Sequence, residues 1–120
     1  MIRAIRGAIT VNCNEREQIL TATERLVKEI AKNNRISPSD IVSVLISTTA
    51  DINACFPAAA LRRMEGWSYV PVMCMQEIEV PDALEKCIRV MMTVMTNKRQ
   101  HEIQHVYLEK AVQLRPDLQK

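Results

Sequence analysis

Two glycines in 120 residues leave no Gly-rich loop to cradle a phosphate and few places for long flexible segments. Aromatic residues make up 3%, too few for a platform on which nucleic-acid bases would stack. The four cysteines, Cys13, Cys55, Cys74 and Cys87, are scattered with no Cys-x-x-Cys pair, and in a chain without a secretory leader they read as free thiols. The opening Met1-Ile-Arg-Ala-Ile-Arg-Gly7 places arginines where such a leader needs an apolar core. No apolar run approaches the roughly 20 residues that cross a bilayer, and the mean hydropathy is -0.09. The expectation is a cytoplasmic protein with no membrane partner. A strong charge of one sign is also missing. Sixteen Lys and Arg oppose 14 Asp and Glu for a net +2, spread along the chain, which argues against a nucleic-acid partner.

The chain does have an ordinary globular composition, 48% hydrophobic and 25% charged. Its length predicts one domain, residues 1–120, with no repeat, low-complexity stretch or linker. A domain of this size leaves much surface exposed, so association with copies of itself would help it. Alternation over Ile2–Val11 predicts a strand with Ile2, Ala4, Arg6 and Ala8 on one face and Arg3, Ile5 and Ile9 on the other. Asn14 with Glu17 resembles a capping box, opening a helix to about Asn33 with Ile19, Leu26, Val27 and Ile30 on one stripe. After a turn at Ser37–Asp40, the β-branched run Ile41–Ser47 predicts a second strand. Pro57 can open a short helix through Met64, which Gly66 stops. Tyr69–Met73 reads as strand, and Pro81–Lys86 as one or two helical turns. Cys87–Met95, apolar almost throughout, reads as a central strand covered on both faces. His105–Leu114 reads as a last strand with Val106, Leu108, Val112 and Leu114 inward, followed by a tail from Arg115 to Lys120. This order predicts an α+β fold, a mixed β-sheet with helices packed on it.

Arg89 is the most informative residue, because it lies inside the apolar strand Cys87–Met95. A guanidinium cannot shed its proton, and burying it without a partner is very costly. Either a core carboxylate pairs with it or it snorkels to the strand edge, or it lines a pocket for an anionic ligand. Arg6, beside Ala4 and Ala8, poses the same question, since small neighbours suit both a ligand and close sheet packing. Glu77, just past an apolar segment, could be a solvated strand end, a partner of Arg89, or an acceptor for a substrate hydroxyl. Tyr107 shares a strand face with His105 and Glu109, so its phenol is expected on the polar side, and alternation does not decide between solvent and a site there. His101-Glu-Ile-Gln-His105 matches the zinc-protease pattern H-E-x-x-H, but that motif needs a helix and a third ligand. Here a turn precedes it and a strand follows. Met91, Met92 and Met95 read as core filler.

Several segments together resemble the monofunctional AroH-type chorismate mutases. They are Ile2-Arg-Ala-Ile-Arg-Gly-Ala8, Phe56-Pro-Ala58, Gly66-Trp-Ser-Tyr-Val-Pro-Val72, Cys74-Met-Gln-Glu77, Lys86-Cys-Ile-Arg-Val-Met-Met-Thr-Val94, His105-Val-Tyr-Leu-Glu-Lys110 and Leu114-Arg-Pro-Asp-Leu118. They run from end to end in the family's order, and the set is far more specific than any one segment. The resemblance implies a trimeric pseudo-barrel with active sites in clefts between subunits. It implies a cofactor-free and metal-free Claisen rearrangement of chorismate to prephenate, on the way to Phe and Tyr. By position, Arg89 should sit beside the ether oxygen of the breaking bond, Glu77 should accept the ring hydroxyl's hydrogen bond, and Arg6 should bind a carboxylate. Tyr107 should hold the bound conformation. Met73, Cys74, Met75 and Gln76, with Phe56, Ala58, Val72 and Leu114, should line the pocket, while Arg62 and Arg115 steer and cover the dianion. The chain departs from the family pattern at Ala59, where a Lys is frequent, and at Met73, where a Thr is frequent. The missing lysine bears on attraction at the cleft mouth, not on the chemistry. A second reading is a trimeric small-molecule-binding or imine deaminase-like module of similar size and architecture, because fold does not fix function.

Overall fold

The computed structural model describes residues 1–118; Gln119 and Lys120, the end of the expected tail, lie outside the described residues. Five strands form one mixed sheet: β1 (Ile2–Thr10), β2 (Ile41–Thr48), β3 (Val72–Gln76), β4 (Cys87–Met95) and β5 (Val106–Leu108). Their spatial order is β3-β2-β4-β1-β5. β4 pairs antiparallel with both β1 and β2, while β3 and β5 each run parallel to their inner neighbour. The α+β expectation therefore holds.

Alternate residues of each strand face a long helix, α1 (Arg16–Asn34). Ile5, Ile9, Val44, Ile46, Ile88, Val90, Met92 and Val94 meet its stripe Ile19, Leu26, Val27 and Ile30 in one core. Gly7 is required for this close approach. A Cβ there would come within 2.8 Å of Ile30 Cδ1 and 2.9 Å of the Val106 carbonyl oxygen. The helix ends on Arg35, left-handed at φ 55°, whose N–H and that of Ile36 return to the Lys32 and Ala31 carbonyls. Asn34 then exchanges hydrogen bonds of 2.8 Å with the Gln104 backbone, fixing the approach to β5. A short helix, α2 (Ala59–Arg62), packs against α1, and Arg63 pins the two together by reaching Glu17 and Glu24.

Five local expectations are corrected. The Asn14 side chain does not cap α1; it accepts from the backbone N–H groups of Asn53 and Ala54, and the helix opens one residue later at an uncapped Glu15. The third strand is Val72–Gln76, not Tyr69–Met73. Trp67–Val70 is a turn, and Pro71 has no N–H for a ladder, so pairing starts beyond it. Pro81–Lys86 is not helical. Asp82 and Lys86 have φ of 66° and 47°, and the Asp51 carboxylate takes the Lys86 N–H. β4 is central but covered on one face only: Ile88, Val90, Met92 and Val94 are buried, whereas Met91 and Met95 are exposed. The last strand stops at Leu108, because Glu109 turns left-handed (φ 54°) and residues Glu109–Leu114 coil into 3-10 turns. Val112 is consequently exposed, and Leu114 packs on a separate small cluster rather than the main core.

Candidate active site

The register of the sheet decides which side chains meet. Met75 on β3 pairs with Ser47, Ser47 with Arg89, Arg89 with Ala8, and Ala8 with Tyr107. These five residues form one row across all five strands, on the face away from α1. A second row on the same face runs Met73, Leu45, Met91 and Arg6. With strands about 4.8 Å apart, Arg89 and Tyr107 are backbone neighbours at about 10 Å, while Met73 and Arg6 are separated by about 14 Å.

Arg89 answers the question that its sequence context posed. Its side chain is 35% exposed, and Nε lies 3.1 Å from Glu77 Oε2. The carboxylate thus compensates the charge without enclosing it. The Nε–H is not aimed at that oxygen, so this buried nitrogen has no hydrogen-bond partner. Glu77 is placed by its backbone, whose N–H reaches the Thr48 carbonyl at 2.8 Å and extends the β2–β3 ladder by one bond. Its Oε2 also accepts from Ser47 Oγ at 2.8 Å. Arg89 opens on a cleft of about 700 Å³ that it shares with Lys86, Lys110, Leu84 and Leu114.

Tyr107 is buried against Ala8, Cys87 and Ala111, with Leu84 and Leu114 beside them, so the side that alternation left open between solvent and a site is enclosed, not solvated. Its hydroxyl is buried without a hydrogen-bond partner. Arg115 lies near enough to feel the phenol but is engaged at 2.9 and 3.1 Å by Asp117. Among the described residues, Arg89 Nε and the Tyr107 hydroxyl are the buried side-chain polar atoms left unbonded, and both stand on the same row. Native structures rarely leave such atoms unpaired without a reason. Next to them, burial raises the pKa of the Cys87 thiol, which keeps it protonated and unreactive.

Arg6 projects from the exposed row, and its backbone N–H donates to His105 Nδ1 at 2.9 Å. His105 is partly buried and faces Arg6 and Arg115; desolvation first, then these two cations, lowers its pKa. His101 lies apart, in the 3-10 turn Gln100–Glu102, and the Glu102 carboxylate accepts from the Arg99 N–H. The H-E-x-x-H pattern is thus split between a turn and a strand start, and it lacks the helical face a zinc protease needs.

The remaining sequence candidates gather elsewhere. Phe56, Cys74, Met75 and Gln76 line a second cleft of about 470 Å³. Phe56 is 77% exposed, and Arg62 projects from α2 into solvent. Ala58 is half-buried just before α2. Val72 and Cys74 turn toward the helix side and pack on the main core, opposite to Met73 and Met75. One chain therefore brings Arg89, Tyr107, Leu114 and Arg115 toward its β4-β1-β5 side, and Phe56, Met73, Met75 and Gln76 toward its β3 edge, with the Glu77 carboxylate reaching Arg89 from the end of β3. Ser47 was missed by sequence reasoning. A hydroxyl at the end of an apolar β-branched run was its only local signal.

Residues 2–118 match the family described as chorismate mutase type I. The chain belongs to that family. It is 55% identical over 118 residues to the chorismate mutase AroH of Bacillus subtilis (strain 168), covering 98% of this chain and 93% of that protein. It is 40% identical to the chorismate mutase AroH of Thermus thermophilus, covering 99% and 98%. A solved chorismate mutase from Clostridium thermocellum superposes with a TM-score of 0.88 at 50% identity, covering 91% of this chain and 96% of that one. As a type I chorismate mutase the chain is an enzyme, and the deaminase-like alternative loses its ground.

Proposed function

We propose that the Arg89 row is the chemical centre for rearranging chorismate to prephenate, and that the whole chain acts as one mutase domain. The carrying observation is a permanently charged guanidinium, half-open to a cleft, beside a buried phenol, with an atom of each left unbonded. In the Claisen rearrangement the ether C–O bond breaks while a C–C bond forms, and negative charge grows on the ether oxygen. Arg89 would stabilise that charge more in the transition state than in the ground state. Glu77 would accept the ring hydroxyl's hydrogen bond. Arg6 and Arg115 would take the carboxylates, and Tyr107 with Leu114 would hold the compact conformer. An acceleration of about 10⁶ needs about 8 kcal/mol. One cation cannot supply this, so fixing the flexible ether in a chair must supply part. The step needs no covalent intermediate, metal or proton transfer.

Assembly as a homotrimer is part of the same proposal. Ile2, Leu45, Met73, Met75, Met91 and Met95 are 39–62% exposed on the sheet face opposite α1. Large apolar side chains left exposed together on one sheet face suit a contact site. Joining the β3 edge of one copy to the β5 side of the next would bring Phe56, Ala58, Arg62, Val72, Met73, Cys74 and Gln76 up to the Arg89 row. Among the described residues no helix is long and apolar enough to cross a membrane, and the sequence favours the cytoplasm. The direct test is incubation of purified protein with chorismate, with prephenate as the expected product and a solution mass of three chains. Unchanged chorismate would overturn the assignment.

A further inference from the structure

Ser47 is the residue on the catalytic row that neither the sequence motifs nor the family's pattern singled out. It stands directly opposite Arg89 in the β2–β4 register and donates to Glu77 Oε2 at 2.8 Å. That same oxygen lies 3.1 Å from Arg89 Nε, which does not aim its hydrogen at it. One carboxylate oxygen is therefore shared between a hydroxyl and a cation. Among the described residues, Oε1 accepts no hydrogen bond from the protein. Arginine and carboxylate left to themselves favour a two-pronged fork in which both oxygens bond the guanidinium. Such a fork would occupy both carboxylate oxygens and spend the charge internally.

We propose that Ser47 is a positioning residue for the rearrangement, holding Glu77 in a one-oxygen contact so that Oε1 stays available to the substrate hydroxyl and Arg89 to the ether oxygen. The inference rests on the mutase reading of this site. Ser47 touches no reacting atom and acts through Glu77. A hydrogen bond to a charged group is strong enough to hold one carboxylate rotamer over another. The half-buried setting keeps water from substituting freely for the hydroxyl.

The test is a set of variants assayed with chorismate: Ser47→Ala, Ser47→Cys and Ser47→Thr, and Ser47→Ala again in a Glu77→Gln background. Ser47→Ala is expected to lower kcat by roughly 10-fold with KM changed by less than about twofold, the scale of one lost charge-assisted bond. Ser47→Cys, a weaker donor of similar shape, should show the same sign and serves if the alanine variant does not fold. Ser47→Thr keeps the hydroxyl in a residue that suits a strand and should retain most of the activity. With Glu77 replaced, Ser47→Ala should cause no further loss, because the competition it governs is gone. A near-normal kcat for Ser47→Ala, or an equal loss in both backgrounds, would overturn the proposal. Threonine failing as badly as alanine with an unchanged melting temperature would do so too. No prephenate from the unaltered chain would instead overturn the reading of the site, and this inference with it.

Discussion

The two faces of the sheet follow different rules although the same strands supply both. On the helix side Ile5, Ile9, Val44, Ile46, Ile88, Val90, Met92 and Val94 are almost completely buried, and a glycine marks the closest approach. On the other side the same strands carry Arg6, Arg89, Ser43, Ser47 and Thr93 among exposed methionines and leucine. The first face is satisfied within the chain. The second mixes polar groups with exposed apolar ones, and it leaves the buried Arg89 Nε and the Tyr107 hydroxyl without a hydrogen bond. The even positions of β4 thus build the core, and the proposed function assigns chemistry and assembly to the odd ones.

Neighbours on β2 test this division most strongly. Ile46→Ala, on the covered face, is expected to cost about 2–5 kcal/mol, read as a lower denaturant midpoint. Leu45→Ala, one residue away, should barely move the stability of a separated subunit, yet should shift the solution mass toward single chains on dilution. Equal effects would erase the distinction. Arg89→Ala should lower turnover by roughly 10²-fold or more while leaving the circular dichroism spectrum intact, since the ion pair it breaks is partly solvated and worth little to folding. Near-normal turnover in that variant would count against the site. Gly7→Ala should cost about 1–3 kcal/mol through overpacking, because one of the atoms in its way is backbone that cannot swing aside.

The smallest effect concerns His105. Its imidazole is held neutral in the fold, because desolvation, Arg115 and Arg6 disfavour the cation. The unfolded chain protonates near pH 6.5, while the folded chain resists until lower pH. Stability is therefore complete above about 6.5 and declines as pH falls below it. His105→Asn offers an oxygen near the place of Nδ1 and has no titration there. Melting curves between pH 7.5 and pH 5, values chosen to bracket that of free histidine, should flatten in the variant. An unchanged slope would assign the acid sensitivity to other groups.

Periodicity made β1 and α1 legible, because each has one face that answers to a single large core, and β-branched or apolar runs bounded by turns marked β2 and β4. Where a contact distant in sequence decides the backbone, local rules failed. Asp51 draws Lys86 out of any helix, Asn53 and Ala54 take the Asn14 side chain from α1, and Glu109 ends β5 by a left-handed residue that no glycine announced. The candidate site was legible in kind, since a cation in an apolar strand has few explanations. Its membership was not, because neighbours across strands are set by register. Alternation within β3 did hold the information that Val72 and Cys74 oppose Met73 and Met75. Ser47 became visible only once β2 was laid against β4.

That pairing carries a safeguard. Side chains alternate at each step along a strand, so a slip of β4 by one position would drive the Arg89 guanidinium into the hydrocarbon beneath α1 and push Ile88 and Val90 outward. The penalty for misalignment is thus levied by the same group that the reaction would use. A molecule that has passed this checkpoint has also set its principal cation at the mouth of the cleft, so that refolding yield and recovered turnover should rise together.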